Sequence, residues 1–417
     1  MDPESLEELA HLTLSLGRLL LASGADTDQV QKEMLRFAAG FESEARLLIT
    51  YEGILLTLVW GERFRTKVGH RLPAMNVNMA AVAELSRLVT KVENHQLDLV
   101  ETRKALEDIE HRPPNYNRWI IVVMLGLTAG SLARLFGADW PAFWIAWLSG
   151  SVGTWLRQDL GRRGFNLFFI PFAAALVSGV ISGLAVLSGL STTPTLCLVA
   201  PGMIIMPGVP LVNSVHDMIT NHMSLALDRL VLGIAVTLAI AFGLFVAGIL
   251  TGSHIPVDVA SAAISVPEDA LFSALAALGY LVLFNVPARI AWAGVICGVA
   301  SHTTRTLLVH FGIDIVIGTL IGALAANFFA QAFARQFKAP AVAFAFPGVV
   351  AMVPGAYAFR AWVGCVEIVH AGASAPMPIV TETLSLIATC VLMVAAIAIG
   401  IAAPLIPRAA AAQARIQ

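Results

Sequence analysis

Charge is scarce in this chain. Only 13% of its 417 residues are Asp, Glu, Lys or Arg, while 57% are hydrophobic; an ordinary soluble domain carries about 25% charged residues. The few charges are also uneven. Of 26 Lys and Arg and 28 Asp and Glu, 31 fall within residues 1–115 and 23 in the 302 that follow. A chain that is water-soluble throughout is excluded, and mean hydropathy is +0.78. No basic field exists either: a formal net charge of −2 and a pI near 6.6 exclude nucleic acid as a partner. Cysteine is sparse, and Cys197, Cys297, Cys365 and Cys390 sit singly in apolar stretches. That spacing gives neither a disulfide framework nor a zinc site, so they read as buried, unreactive thiols. No P-loop, dinucleotide glycine fingerprint or Ser-His-Asp spacing occurs, so ATP-driven transport is not encoded and neither a cofactor nor a catalytic centre is expected. Met1–Ala10 is acidic and lacks the basic-then-apolar pattern of a signal peptide, which predicts retention on the cytoplasmic side.

What is present divides in two. Residues 1–116 read as an α+β domain. Ser5–Ala22 and Thr27–Ala39 have helical patterns, separated by Ser23-Gly24-Ala25-Asp26, which supplies a turn and N-cap oxygens. Leu47–Tyr51 and Ile54–Trp60, divided by Glu52-Gly53, predict a hairpin. Glu62–Val68 alternates, with Phe64, Thr66 and Val68 on one face and Arg63, Arg65 and Lys67 on the other, which predicts a half-buried strand with a cationic outer face. Helical stretches over about 78–91 and 97–110 lead to Pro113-Pro114, a boundary.

A membrane-crossing helix needs about 20 apolar residues, and on that ruler ten spans are predicted. The first five are 119–137, 140–157, 165–190, 195–216 and 224–251; the second five are 269–286, 288–308, 311–335, 339–362 and 379–406. Positive residues gather on the cytoplasmic side of short loops. With the N-terminus inside, the inner loops hold Arg157, Arg162, Arg163, Arg335 and Lys338, and the tail holds Arg408 and Arg415. The outer loop 252–268 has Asp258 and Glu268 but no Lys or Arg; Arg134 and Arg305 are mild exceptions. Both ends are therefore expected inside a cell (inner) membrane.

Two Pro-Gly pairs recur. Pro201-Gly202 and Pro207-Gly208 of the fourth span return as Pro347-Gly348 and Pro354-Gly355 of the ninth, and Trp147 and Gly153 of the second as Trp292 and Gly298 of the seventh. One repeat is thus five spans long, and its copy enters the membrane upside down, the pattern of secondary transporters. Proline removes an amide donor and glycine loosens the backbone, and a helix interrupted in hydrocarbon is tolerated only where protein or a water-filled cavity satisfies the freed groups. The expected fold is mostly α: a ten-span helical membrane domain of two inverted five-helix repeats, 117–251 and 269–407, preceded by a small α+β cytoplasmic domain, 1–116. The two breaks are expected to enclose one polar pocket.

The stretch from Pro207 to Arg229 places Asn213, His216, Asp217, His222, Asp228 and Arg229 between apolar runs, where ionisable groups are costly and face a cavity or a partner. Asn213 and Ser214 could bind a polar solute, Arg229 a carboxylate, and Asp217 a proton; the bland reading is a solvated loop between spans four and five. The six-residue spacing of His216 and His222 does not bring both rings to one helical face, so no metal is expected. Arg360, spaced from Pro354-Gly355 as Asn213 is from Pro207-Gly208, can read a carboxylate through its fork, or snorkel at the outer interface. Glu382 and Asp314 are further proton-carrier candidates, or interfacial carboxylates.

These residues carry a resemblance. Gly24-Ala25-Asp26-Thr27, the run Pro207-Gly208, Pro210-Leu211, Asn213-Ser214, Asp217, Ser224 and Arg229, then Ala300-Ser301-His302 with Arg305, and Val353-Pro354-Gly355 are similar to the threonine/serine exporter family over nearly the whole chain. The resemblance implies export of threonine and serine driven by the proton motive force, with Asn213, Asp217 and Arg229 as motif positions. A related branch, with its halves on separate chains, is associated with dicarboxylate export. The chain departs from the family pattern at Asn221 and Ala226, where glycines are usual. The reading that results is a proton-coupled exporter of small amino acids or carboxylates, embedded in lipid and compatible with a homo-oligomer. Its substrate-binding residues are Pro207, Gly208, Asn213, Ser214, Arg229, Pro354, Gly355 and Arg360, and its proton-coupling residues Asp217, Glu382 and Asp314. A membrane-anchored sensor has no need of two matched interrupted helices, and a membrane-embedded hydrolase lacks a recognisable nucleophile.

Overall fold

The structure is a computed structural model that describes residues 3–50, 52–70, 77–253, 264–337 and 339–403. Readings placed on Tyr51, Asp258, Lys338, Arg408 and Arg415 lie outside the described residues.

The N-terminal unit opens with α1 (Pro3–Ala22) and α2 (Thr27–Gly40). Gly24 takes φ +90° in the turn between them, a left-handed conformation that costs glycine nothing. Asp26 caps α2, its carboxylate accepting from Gln29 N. Strands β1 (Glu44–Ile49), β2 (Gly53–Trp60) and β3 (Arg63–His70) form an antiparallel sheet in the order β1-β2-β3. Helices α3 (Met79–Glu93) and α4 (Leu99–Glu110) follow, α4 opened by an Asp98/Glu101 capping box. Ile54, Leu56 and Leu58 of β2 point inward against α1 and α2.

The faces of β3 are the reverse of the sequence expectation. Phe64 and Val68 are exposed, whereas Arg65 and Lys67 reach Glu7 of α1. Alternation identifies two faces but does not say which meets the core; here ion pairing to α1 decides it.

Twelve helices follow: α5 (Arg118–Leu135), α6 (Trp140–Arg162), α7 (Phe169–Leu187), α8 (Pro194–Met203), α9 (Gly208–Ile219), α10 (Met223–Thr251), α11 (Val266–Leu283), α12 (Ala288–His310), α13 (Ile315–Phe337), α14 (Val342–Val349), α15 (Gly355–Ala371) and α16 (Met377–Ala402). Among the described residues, six helices are long and apolar enough to cross a membrane, or eight spans in all if each of the bent pairs α8–α9 and α14–α15 is one. The expected count of ten is not reached on that measure. The two long helices left out, α6 and α12, carry Arg157, Asp159 and Arg162, and Arg289, His302 and Arg305.

Neighbour relations recur along the chain. In the first half α5 packs on α6, α6 on α7 and α7 on α10, with α8 against α6 and α7; in the second, α11 packs on α12, α12 on α13 and α13 on α16, with α14 against α12 and α13. Helices α5 and α11 lie side by side and antiparallel. The end of α5 meets the start of α11 through the Arg134–Glu268 ion pair, while Asn115, just before α5, hydrogen-bonds to Asn285, just after α11. Arg134, anomalous by loop charge, is thereby neutralised, and its guanidinium also covers the Trp140 ring.

The N-terminal unit is fastened to this bundle. Met79 N donates to Phe284 O at 2.8 Å, Asn285 Nδ2 to Asn78 Oδ1 at 2.8 Å and Tyr116 Oη to Val286 O at 2.7 Å. Met79 joins the apolar core of the helical bundle, and Leu225 of α10 joins that of the N-terminal unit.

Candidate functional site

Both interruptions expected from Pro-Gly pairs are present, each at the second pair of its set. The chain bends by 62° between α8 and α9 and by 42° between α14 and α15. Pro207 (φ −78°, ψ 62°) and Pro354 (φ −77°, ψ 52°) sit at the two bends, and Gly208 N donates to Met206 O as Gly355 N does to Val353 O, both at 2.8 Å. Each break is therefore an inverse γ-turn centred on proline. Proline supplies the fixed φ, and the helix resumes at the glycine. Pro201 and Pro347 stay inside α8 and α14.

The breaks face each other. A Cβ at Gly208 would lie 3.2 Å from Val353 Cγ2, and one at Gly355 3.2 Å from Met206 Sδ. Between them is a narrow cleft bordered by Leu132, Phe136, Met203, Tyr280, Val350 and Ala351. The space there is about 10 Å³, enough for one water-sized molecule, and Tyr280 is the one polar side chain on its border among the described residues; the polar pocket expected between the breaks is not formed here.

The polar residues of α9 lie instead further along it, from about 8 Å (Asn213) to about 14 Å (Asp217) beyond Gly208 at 1.5 Å per residue. The loop alternative fails for His216 and Asp217, which lie within α9 and are buried, whereas Thr220 and Asn221 do form a turn before α10 and His222 and Asp228 are part-exposed. Asp217, with no exposed surface, pairs with Arg229 of α10 at 2.7 Å. The N-terminal unit closes over this pair. Thr27 N, first in α2, donates to Asp217 Oδ1 at 3.2 Å; Arg229 Nη2 donates to Ala25 O at 3.2 Å; Asn213 Nδ2 donates to Gly24 O at 3.4 Å. A helix N-terminus leaves its first amides without intrahelical partners and carries partial positive charge, so α2 presents Asp217 with a second cationic neighbour. Asn213 Oδ1 and His216 Nδ1 are buried at this contact without a partner; the latter lies 3.9 Å from Asp26, too far for a hydrogen bond. Ser214 hydrogen-bonds within its own helix, to Leu211 O at 2.7 Å. Asn221 takes φ +65° after α9, a conformation that suits glycine and that asparagine tolerates, which accounts for asparagine at that departure from the family pattern.

The second half carries an analogous pair. Arg360 of α15 meets Glu382 of α16 at 3.3 Å. Like Asp217–Arg229 it links the second arm of a bent pair to the next helix, with acid and base exchanged. It is far more open: the Glu382 side chain is 42% exposed, that of Asp217 0%. Asp314 stands apart from both pairs, exposed before α13, with Oδ1 accepting from Val316 N at 2.8 Å.

A cluster the sequence reading did not assemble lies at the opposite end of the bundle. Asp269 of α11 accepts from His302 Nδ1 at 2.8 Å, Thr306 Oγ1 at 2.6 Å and Thr303 Oγ1 at 3.3 Å, and Arg305 hydrogen-bonds to His302 Nε2. All three ionisable side chains are buried. The available signal was an acid in the first turn of one apolar helix and a His-x-x-Arg spacing late in the next.

Comparison with known proteins matches residues 11–251 to a threonine/serine exporter family model and residues 269–406 to a second model described as "Threonine/Serine exporter, ThrE". The "Probable succinate transporter subunit YjjP" of Escherichia coli is 28% identical over 254 residues, covering 59% of this chain and 96% of that protein. The "Probable threonine/serine exporter" of Mycobacterium tuberculosis is 26% identical over 377 residues, 87% of this chain and 70% of that one. The "Threonine/serine exporter" of Corynebacterium glutamicum is 22% identical over 376 residues, 86% and 76%. No solved structure matches the chain.

Proposed function

Because the chain belongs to the threonine/serine exporter family, a family of membrane transporters, we propose that this multi-pass membrane protein exports small amino acids such as threonine and serine in exchange for protons. Counting α6, α12 and each bent pair as spans gives ten, two inverted five-span repeats of 117–251 and 269–407 after a cytoplasmic domain of 1–116, with both termini inside the cell (inner) membrane. The recurring neighbour relations and the matched γ-turns support this arrangement.

The observation that carries the reading is the buried Asp217–Arg229 pair beneath α2, with Asn213 Oδ1 left without a partner. An α-amino acid carries the two charges needed to open that pair without leaving either member uncompensated. Its carboxylate takes Arg229 and the Thr27 amide; its ammonium takes Asp217 and Asn213 Oδ1. A proton on Asp217 removes the ammonium's charged acceptor, so proton and solute compete for one carboxylate. Competition for one site is what an exchanger requires, and differential affinity between the inward and outward states moves the solute. Entry to the cleft needs the breaks to part, Pro207-Gly208 from Pro354-Gly355. Arg360–Glu382, more open, serves the outer half in the same way. Asp314, an exposed cap, is the weakest of the three coupling candidates.

The test is Asp217→Asn in the full-length protein, reconstituted in vesicles with labelled threonine. Export driven by a pH gradient, measured per molecule of folded protein in the vesicles because the substitution also strands the buried Arg229, is lost; export at the parental rate would remove Asp217 from the mechanism. A second reading, dicarboxylate export, draws on the likeness to the E. coli succinate transporter subunit. A dicarboxylate offers Asp217 no ammonium, so labelled succinate in the same vesicles separates the two.

A further inference from the structure

The Asp269–His302–Arg305 cluster has no part in the solute site described above. It lies at the end of the bundle away from the N-terminal unit, beside the Arg134–Glu268 pair. Its contacts match one protonation state. A carboxylate only accepts, so His302 Nδ1 carries a proton; a guanidinium only donates, so Nε2 is a bare acceptor. His302 is thus neutral here, and the three side chains together carry no net charge.

We propose that His302 is a proton-binding site on the outer side of the exporter, and that its protonation ejects Arg305. The inference rests on the exporter reading for its orientation and its role. A proton from the outer water binds Nε2; the Arg305 N–H···Nε2 hydrogen bond breaks, because two donors then face each other. The cluster passes from neutral to +1, a cost in a buried place that is relieved when the guanidinium moves off. Besides His302, the charged groups nearby include Asp314, exposed one turn before the Gly318 that packs on Arg305. Helix α11 offers Asp269 and Glu268, the latter held by Arg134 of α5. Helix α13 has no titratable residue between Ile315 and Arg335, and α14 has none. Arg305 also lies near Tyr357 of α15. Tyr357 lies two residues beyond Gly355, and Ser301, beside His302, donates to Gly348 O of α14 at 2.8 Å. Displacement of Arg305 therefore acts on the second broken pair, the element that must move for the cleft to open outward.

The experiment uses full-length protein labelled with 15N-histidine in lipid nanodiscs, the His302 resonance being the one lost in His302→Gln. The expected result is the Nδ1–H tautomer at alkaline pH, converting on acidification to the doubly protonated ring. Arg305→Gln should raise the midpoint by about one unit or more, because a nearby cation disfavours a second positive charge. In vesicles, His302→Gln should abolish stimulation of threonine export by an imposed pH gradient while exchange at equal pH remains. A His302 that stays neutral until the protein unfolds, a midpoint unmoved by Arg305→Gln, or full pH stimulation in His302→Gln would each overturn the proposal. If the parent moves neither threonine nor serine, the exporter reading fails, and the nanodisc titration still decides whether His302 binds the proton.

Discussion

Thr27→Pro, read beside Thr27→Val, tests the amide hydrogen bond between the N-terminal unit and the buried pair. Thr27 is the first residue of α2, where proline is well accommodated because its missing amide has no intrahelical partner. The preceding residue, Asp26, already has φ −72° and ψ 161°, the extended conformation that a residue before proline prefers. The substitution therefore leaves α2 intact and deletes the donor to Asp217 Oδ1. A hydrogen bond to a charged group contributes about 1.5–3 kcal/mol net, and about 1.4 kcal/mol is a factor of ten. Opening of the contact should thus become roughly tenfold to a hundredfold more frequent. Amide exchange of residues 24–30, measured by mass spectrometry on the full chain in detergent, reads that opening. Thr27→Val keeps the amide and loses only the hydroxyl, which also faces Asp217, and should accelerate exchange less than Thr27→Pro does. In an Asp217→Asn background the effect of Thr27→Pro should shrink, since the charged acceptor is gone. Unchanged exchange in Thr27→Pro, or equal acceleration in Thr27→Val, would refute the idea that the α2 amide holds the domain to Asp217.

Arg229→Gln alone should destabilise the full chain by about 3–5 kcal/mol, by stranding a buried carboxylate. Asp217→Asn with Arg229→Gln should recover much of that loss without recovering export, as thermal unfolding and vesicle export will read. Gly208→Val should halt transport at a cost of about 1–3 kcal/mol in stability, because its Cβ meets Val353 at 3.2 Å and adds bulk where the breaks must part; wild-type export by a folded Gly208→Val protein would contradict that. Burial, opposed by Arg36, holds the Glu33 carboxyl above the ordinary carboxylate range. The folded state then keeps its proton better than the unfolded one, so this group's contribution falls as pH rises from the ordinary value through the raised one. Glu33→Gln should therefore raise the melting temperature at neutral pH and leave it nearly unchanged below the ordinary carboxylate range.

The sequence alone determined which part of this chain belongs in lipid, since a span of apolar residues of bilayer length is a local property. It also located both breaks, because Pro207-Gly208 and Pro354-Gly355 act on their own backbone wherever the helix sits. Asn213, Asp217 and Arg229 were legible as costly polar groups between apolar runs. Only tertiary structure decided what they meet. Thr27 and Asp217 are 190 residues apart, and neither periodicity nor spacing says that the first amide of α2 will close over a carboxylate from the helical bundle. The same limit hid the cluster at the other end: Asp269 and His302 lie 33 residues apart on successive helices, and their pairing is set by the rotation of α11 against α12. It also inverted the faces of β3, whose alternation is symmetric until Glu7 of α1 attracts Arg65 and Lys67. Local chemistry fixes where a helix must break, whereas the partner of a buried charge is fixed by the packing that brings distant segments together.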